Sequence, residues 1–342
     1  MKELTGLATG IGSLPYKEAK TAVELVLKYC PHIPFWPQLP RHDVREGMVA
    51  QFCENMPCIK LTNQGAVFDP QDKERELEKF YEAVINDNTD YFKITGGYAS
   101  GLYVFYQALE KLGLSTVKAI KCHITGPFTF AATFKDENNR SLLHDKVFMQ
   151  AFTKGLAMKG LWQIKLFEKF GKKIIVFLDE PYLACFGSAY TPINREDVLS
   201  GLKEVSGALK AQGALVGVHC CGNTDWSVFT DTQTINIINF DAFGFLDKLL
   251  LYADNLKEFF SRGGMLCWGI VPTQEFIPGM KAEFLVDKIN AGIDALVKKG
   301  IDRKVICDSL ILSPACGLGA MEEARAEQIL KLLSEVSAKI KK

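Results

Sequence analysis

A histidine and a cysteine two residues apart, at the end of an apolar run, are the residues of this chain best suited to hold a metal. They are His219 and Cys221, within Val218-His219-Cys220-Cys221-Gly222-Asn223. The run before them, Ala214-Leu215-Val216-Gly217-Val218, is short and partly β-branched, with a glycine ahead of it. It reads as a buried strand. Side chains alternate faces along a strand, so His219 and Cys221 point one way and Cys220 the other. An imidazole beside a thiolate is half of a zinc site, which wants four ligands of Cys, His or carboxylate type. Cys316, at the end of the last predicted strand, supplies a third. Asp241, one strand beyond the histidine, is the best fourth.

Other polar residues fall at predicted strand ends. Asp179-Glu180-Pro181 follows the apolar run Ile174-Ile175-Val176-Phe177-Leu178. A carboxylate there is costly to bury without a partner. Asp179 either caps the next helix or receives a substrate ammonium. Gly12-Ser13 offers backbone N–H groups to an anion, or is an ordinary loop. Thr125, Glu180 and Asn223 are placed to line a pocket. His123 lies one residue inside its strand, where a structural role is expected, close to the same pocket.

These residues need a scaffold that gathers strand ends. Eight strand candidates, near residues 8–13, 35–40, 119–124, 174–178, 214–220, 235–240, 265–271 and 304–312, alternate with helical patterns. Helices are expected over 17–30, 42–53, 72–113 with a break near Thr95-Gly96-Gly97, 143–170, 194–211, 225–232, 246–262, 280–299 and 319–340. Continuous apolar strands between helices imply a parallel sheet covered on both faces. Eight such units predict an α/β protein of the (β/α)8 TIM-barrel type, with its site at the C-terminal ends of the strands. An open doubly wound sheet is the alternative, but Gly10-Ile11-Gly12-Ser13-Leu14-Pro15 lacks the third glycine of a dinucleotide fingerprint. One domain over 1–342 is expected, with an irregular or hairpin insertion around 55–72.

Composition narrows the function classes. Of 342 residues, 48% are hydrophobic and 23% charged, ordinary for a globular protein. Lys+Arg and Asp+Glu both total 40, which favours neither nucleic acid nor an anionic membrane surface. No apolar run approaches the ~20 residues of a membrane span. The opening Met-Lys-Glu-Leu-Thr-Gly lacks the apolar stretch of a secretion signal, so a cytoplasmic location is expected. The ten cysteines are then free thiols, mostly buried as small hydrophobes, and not a disulfide framework. Cys220, Cys267 and Cys307 are expected to be packing residues.

Five segments together resemble a known family. Ile11-Gly12-Ser13-Leu14-Pro15, Thr125-Gly126-Pro127, Asp179-Glu180-Pro181, His219-x-Cys221 and Pro314-Ala315-Cys316-Gly317-Leu318 are similar, in order and spacing, to the catalytic half of cobalamin-independent methionine synthase. The wider superfamily includes uroporphyrinogen decarboxylase and the methylcobamide:coenzyme M methyltransferases, all TIM barrels. The resemblance implies that His219, Cys221 and Cys316 are zinc ligands, and Asp241 stands in place of the family's glutamate ligand after a slightly shorter interval. It also implies that Ile11, Gly12 and Ser13 hold the amino acid's carboxylate and that Asp179 holds its ammonium.

The chain departs from that family where the methyl-folate donor would be handled. Thr133 stands at the place of the folate-stacking tryptophan, Cys185 at the acidic folate contact, and Val271 near the proton-donating histidine. A folate amine is a poor leaving group without a proton donor, whereas a corrinoid leaves as an anion. The expected activity is therefore a zinc-dependent transfer of a methyl group to a thiol, homocysteine giving methionine. The expected donor is a methylcorrinoid held on a partner protein. Alternatives are another thiol acceptor such as coenzyme M, or a non-catalytic zinc- or thiol-binding subunit of a corrinoid assembly.

Overall fold

Six of the eight predicted strands form one parallel sheet in a computed structural model of the protein. It describes residues 1–63, 65–188 and 193–340, with the side chain of Cys185 outside that description. Strands β1 (Ile59–Thr62) and β2 (Gly65–Phe68) make a small antiparallel hairpin, within the insertion expected around 55–72. Strands β3 (Ala119–Thr125), β4 (Lys173–Asp179), β5 (Leu215–Cys220), β6 (Ile237–Phe240), β7 (Met265–Val271) and β8 (Leu310–Pro314) pair in sequence order.

The expected complete eight-stranded barrel is not formed. The sheet is curled and stays open between β8 and β3. Residues 8–13 and 35–40 were expected to supply two more strands. They supply only single parallel bridges, Ala8 to Leu312, Phe35 to Lys121, and Ser13 to Gln38. The cause is local. Pro34, Pro37 and Pro40 carry no N–H to extend a ladder. At Gly10 a Cβ would sit 2.3 Å from the Phe35 ring, so the two segments meet through a side chain packed on bare backbone. These loops lie across the open side of the sheet and reach both of its edges.

Strand alternation divides the core in two. Ala119, Ile175, Phe177, Ile237, Met265, Cys267 and Ile311 face inwards with Leu4, Leu7 and Ile33. Ile120, Cys122, Val176, Val218, Cys220, Ile238 and Leu312 face outwards against the helices. Both faces are buried, which is why the strands read as unbroken apolar runs. Where the inside is crowded, glycine replaces a side chain: a Cβ at Gly217 would lie 2.2 Å from the Phe177 ring.

Three smaller expectations also change. Residues 42–53 hold two single 3-10 turns, Val44–Glu46 and Ala50–Phe52, instead of a helix. The helix expected over 246–262 is divided into Ala242–Leu249 and Ala253–Ser261. Strand β8 starts late because Asp302 caps a helix over Arg303–Asp308, accepting from Val305 N–H at 3.1 Å. Cys307 therefore lies on a helix. Among the described residues, no helix is long and apolar enough to cross a membrane.

Candidate metal centre

Inward-facing residues near the C-terminal ends of β3 to β8 share one parity. They are His123, Thr125, Asp179, His219, Asn239, Asp241 and Ser313. Val218 and Cys220 take the outer face of β5 and are buried against the helices. That leaves His219 on the inner face, with Cys221 one step beyond the strand end. Cys316 arrives from the loop after β8. Ala315 N–H donates to Val271 O at 2.9 Å and Leu318 N–H to Ser13 O at 3.0 Å. Gly319 N–H donates to Ser13 Oγ at 3.2 Å. A Cβ on Gly317 would lie 2.3 Å from Ser13 Oγ, so glycine is what lets the two loops touch.

The result is a cluster. Ligand atoms of His219, Cys221 and Cys316 all lie within 4.8 Å of one another. Zinc bond lengths put the two sulfurs of a tetrahedral site ~3.8 Å apart, so the three residues fit such an ion. His219 is buried and the two cysteines are half-buried. The His219 ring Nδ1 is hydrogen-bonded to Asn239 Oδ1. Asn239 Nδ2 donates to Cys267 O at 2.9 Å and to Ser313 Oγ at 2.7 Å.

Charge is already organised around the two thiols. A hydrogen bond from Cys221 brings Cys316 down to about 4, and a second from His219 assists. The same bond to Cys316, with burial, pushes Cys221 upwards. Burial alone would lower His219, but the Cys316 bond and the nearby Asp179 carboxylate outweigh it and raise it. A soft, electron-rich N, S, S donor set results, the kind that suits zinc.

Asp241 does not join the cluster. Its Oδ1 caps the helix Ala242–Leu249, accepting from Gly244 N–H at 2.8 Å. A Cβ on Gly244 would lie 2.9 Å from the other carboxylate oxygen. Burial raises its pKa. Asp179 fares differently. It is 7% exposed, and its Oδ1 is buried with no hydrogen-bond partner. Burial raises it to about 6, opposed by His219 and Lys121.

Of the other predicted residues, Glu180 turns away from the site. Its carboxylate accepts from Phe128 N–H at 3.0 Å, Thr129 N–H at 2.8 Å and the Thr129 hydroxyl at 2.7 Å. It thereby seals the start of the helix Pro127–Thr133. Thr125 Oγ1 donates to Met48 O and anchors the loop above β3. Asn223 is exposed. Ser13 braces the Cys316 loop as above. Gly12 packs on the His123 ring, where a Cβ would come within 3.0 Å. His123 is stacked on Trp36 with ring centroids 3.8 Å apart, and neither ring nitrogen has a hydrogen-bond partner. Burial keeps its pKa well below the usual histidine range. Ile11 O accepts from the buried Lys121 Nζ at 2.5 Å.

At the positions where folate handling was expected to be lost, Val271 is fully buried and its carbonyl holds Ala315. Thr133 Oγ1 donates to Thr129 O at 2.9 Å. The side chain of Cys185 lies outside the described residues. Sequence reasoning missed Lys121 and Asn239. Both carry a visible signal, a polar residue at inward parity inside an apolar strand: Ala-Ile-Lys-Cys-His-Ile and Ile-Ile-Asn-Phe. No protein-family model matches this chain, and a search of curated proteins returned no match.

Proposed function

We propose that this protein transfers a methyl group from a methylcorrinoid to the sulfur of a small aminothiol, with homocysteine the best-fitting acceptor. The observation that carries the reading is the meeting of His219, Cys221 and Cys316 near an inward, buried carboxylate, Asp179, whose Oδ1 has no partner. A zinc ion held by the three residues would ionise a bound thiol, whose free pKa of ~8.5 leaves little thiolate at neutral pH.

The chain's own groups account for the rest. Asp179 sits one strand from His219, as its register partner. A substrate ammonium beside it would satisfy Oδ1 and stabilise the charged carboxylate against its burial. The Gly12-Ser13 loop, held by Lys121 through Ile11 O, would receive the substrate carboxylate. The substrate sulfur forms the new S–CH3 bond with its own electron pair. The methyl donor would depart with the electron pair of its carbon–cobalt bond, so no proton donor would be needed at the leaving group. Val271 and Thr133, both apolar or internally bonded, agree with that economy.

The test is turnover of methylcobalamin against a panel of thiols, alongside metal analysis. Methionine from homocysteine is expected, with weaker turnover of a thiol that lacks an ammonium group. About one zinc per chain is expected with three protein ligands. Activity with methyl-folate alone would overturn the donor assignment. Tight thiol binding without any turnover would overturn catalysis.

A further inference from the structure

Asn239 can face His219 in only one way. A backbone carbonyl only accepts hydrogen bonds, so the Asn239 atom 2.9 Å from Cys267 O is the amide nitrogen. Its second N–H meets Ser313 Oγ at 2.7 Å. The Ser313 hydroxyl proton is itself directed to Pro314 O, at 2.9 Å. Turning the amide over would set its oxygen against the Cys267 carbonyl and leave two N–H groups facing an imidazole. Asn239 Oδ1 therefore points at His219 Nδ1, and an oxygen with no proton can only accept. Nδ1 must carry the hydrogen, and Nε2 is the ring nitrogen free to bind.

We propose that Asn239 is a positioning residue: it selects Nε2 of His219 as the metal-facing nitrogen and holds the ring at the angle that meets Cys221 and Cys316. The inference rests on the metal reading of that cluster. It goes beyond it by assigning a part to a residue that touches neither metal nor substrate. The hydrogen bonds run in one direction, from His219 on β5 through Asn239 on β6 to Ser313 on β8. Ser313 is three residues before Cys316, so the same chain ties together the two arms that carry the ligands. Partners of this type around a ligating histidine are worth about 10- to 100-fold in metal affinity.

The full chain, stripped of metal, is titrated with Co(II) in competition with a chelator, read by its sulfur-to-cobalt absorption. Asn239→Leu removes the acceptor at similar volume and is expected to weaken Co(II) binding about 10- to 100-fold. Asn239→Asp keeps an acceptor towards Nδ1 and is expected to stay within a few-fold of the unaltered protein, although its second oxygen opposes Cys267 O. Equal affinity in the leucine variant, or equal loss in both variants, overturns the proposal. Should Asn239→Leu fail to fold, nitrogen NMR of the unaltered protein loaded with cadmium decides the matter. Metal coupling at Nε2 with a retained Nδ1 proton is expected, and coupling at Nδ1 overturns it. Failure of the unaltered protein to bind any of these ions would instead overturn the metal reading itself, and the role of Asn239 with it.

Discussion

Asp179 and His219 are register partners on β4 and β5, and the aspartate keeps one carboxylate oxygen buried and unbonded beside the histidine. The fold tolerates that charge at a cost. Burial raises Asp179 to about 6 against the opposing charges of His219 and Lys121, with Cys316 adding to the rise. An unfolded aspartate titrates near ~3.9. The folded state thus favours the protonated acid, and the penalty is absent below that value, grows as pH rises and is complete above the folded pKa. Asp179→Asn should raise stability at pH 7 by about 2–3 kcal/mol and leave it nearly unchanged at pH 4. Thermal unfolding at the two pH values measures the difference, and the same variant should lose affinity for an aminothiol.

Gly126 has no room for a methyl group. A Cβ there would come within 2.2 Å of the Glu180 side chain, which is fixed by three hydrogen bonds from Phe128 and Thr129. Gly126→Ala should cost about 3 kcal/mol, the upper range for overpacking a rigid site. Denaturant unfolding would show it as a lower midpoint with an unchanged slope.

Metal content should separate ligands from caps. Cys316→Ser removes a member of the cluster and is expected to abolish zinc retention after dialysis. Asp241→Asn leaves the cluster intact, and asparagine caps a helix about as well as aspartate. That variant should keep its metal and change stability by about 0.5 kcal/mol or less. Loss of zinc from Asp241→Asn would restore the aspartate as a fourth ligand.

Lys121 offers a kinetic prediction. It is fully buried, donates to Ile11 O and lies 4.4 Å from the centre of the Phe177 ring. Burial lowers its pKa to about 8. Lys121→Met should leave metal content intact but free the loop that bears Gly12 and Ser13. KM for the aminothiol is expected to rise about 10-fold, a modest loss of positioning, with kcat less affected. An unchanged KM would show that Ile11 is held by its other contacts.

The sequence made the cluster of His219, Cys221 and Cys316 legible because strand ends are legible. His219, Cys221 and Cys316 each follow an apolar run, and parity alone put the first two on one face. Asp241 shows where that reasoning stops. A carboxylate at a strand end, three residues ahead of Gly244, looks the same whether it binds a metal or caps the helix that begins there. The strand count failed for a different reason. Residues 8–13 and 35–40 have the right length and apolar character, but glycine and proline spend their backbone on close approach instead of a ladder. Asn239 and Lys121 were overlooked because a single polar residue in a strand carries no spacing. Its meaning depends on which neighbours the curled sheet brings beside it.

The contact between Ser13 and Gly319 spans 306 positions of the chain, and the Ser337 hydroxyl reaches Gly6 O across 331. Contacts between residues so distant in sequence carry a large loop-closure cost, which must be met before they add stability. Cys316 takes its place through that contact, so a growing chain that has made His219 and Cys221 but not residue 319 offers only two of the three donors, loosely arranged. Capture of an ion there would thus be a timing event. It would wait for the loops at the open side of the sheet to close, and a bound metal would in turn lock that closure, because affinity for the folded site is stability of the fold.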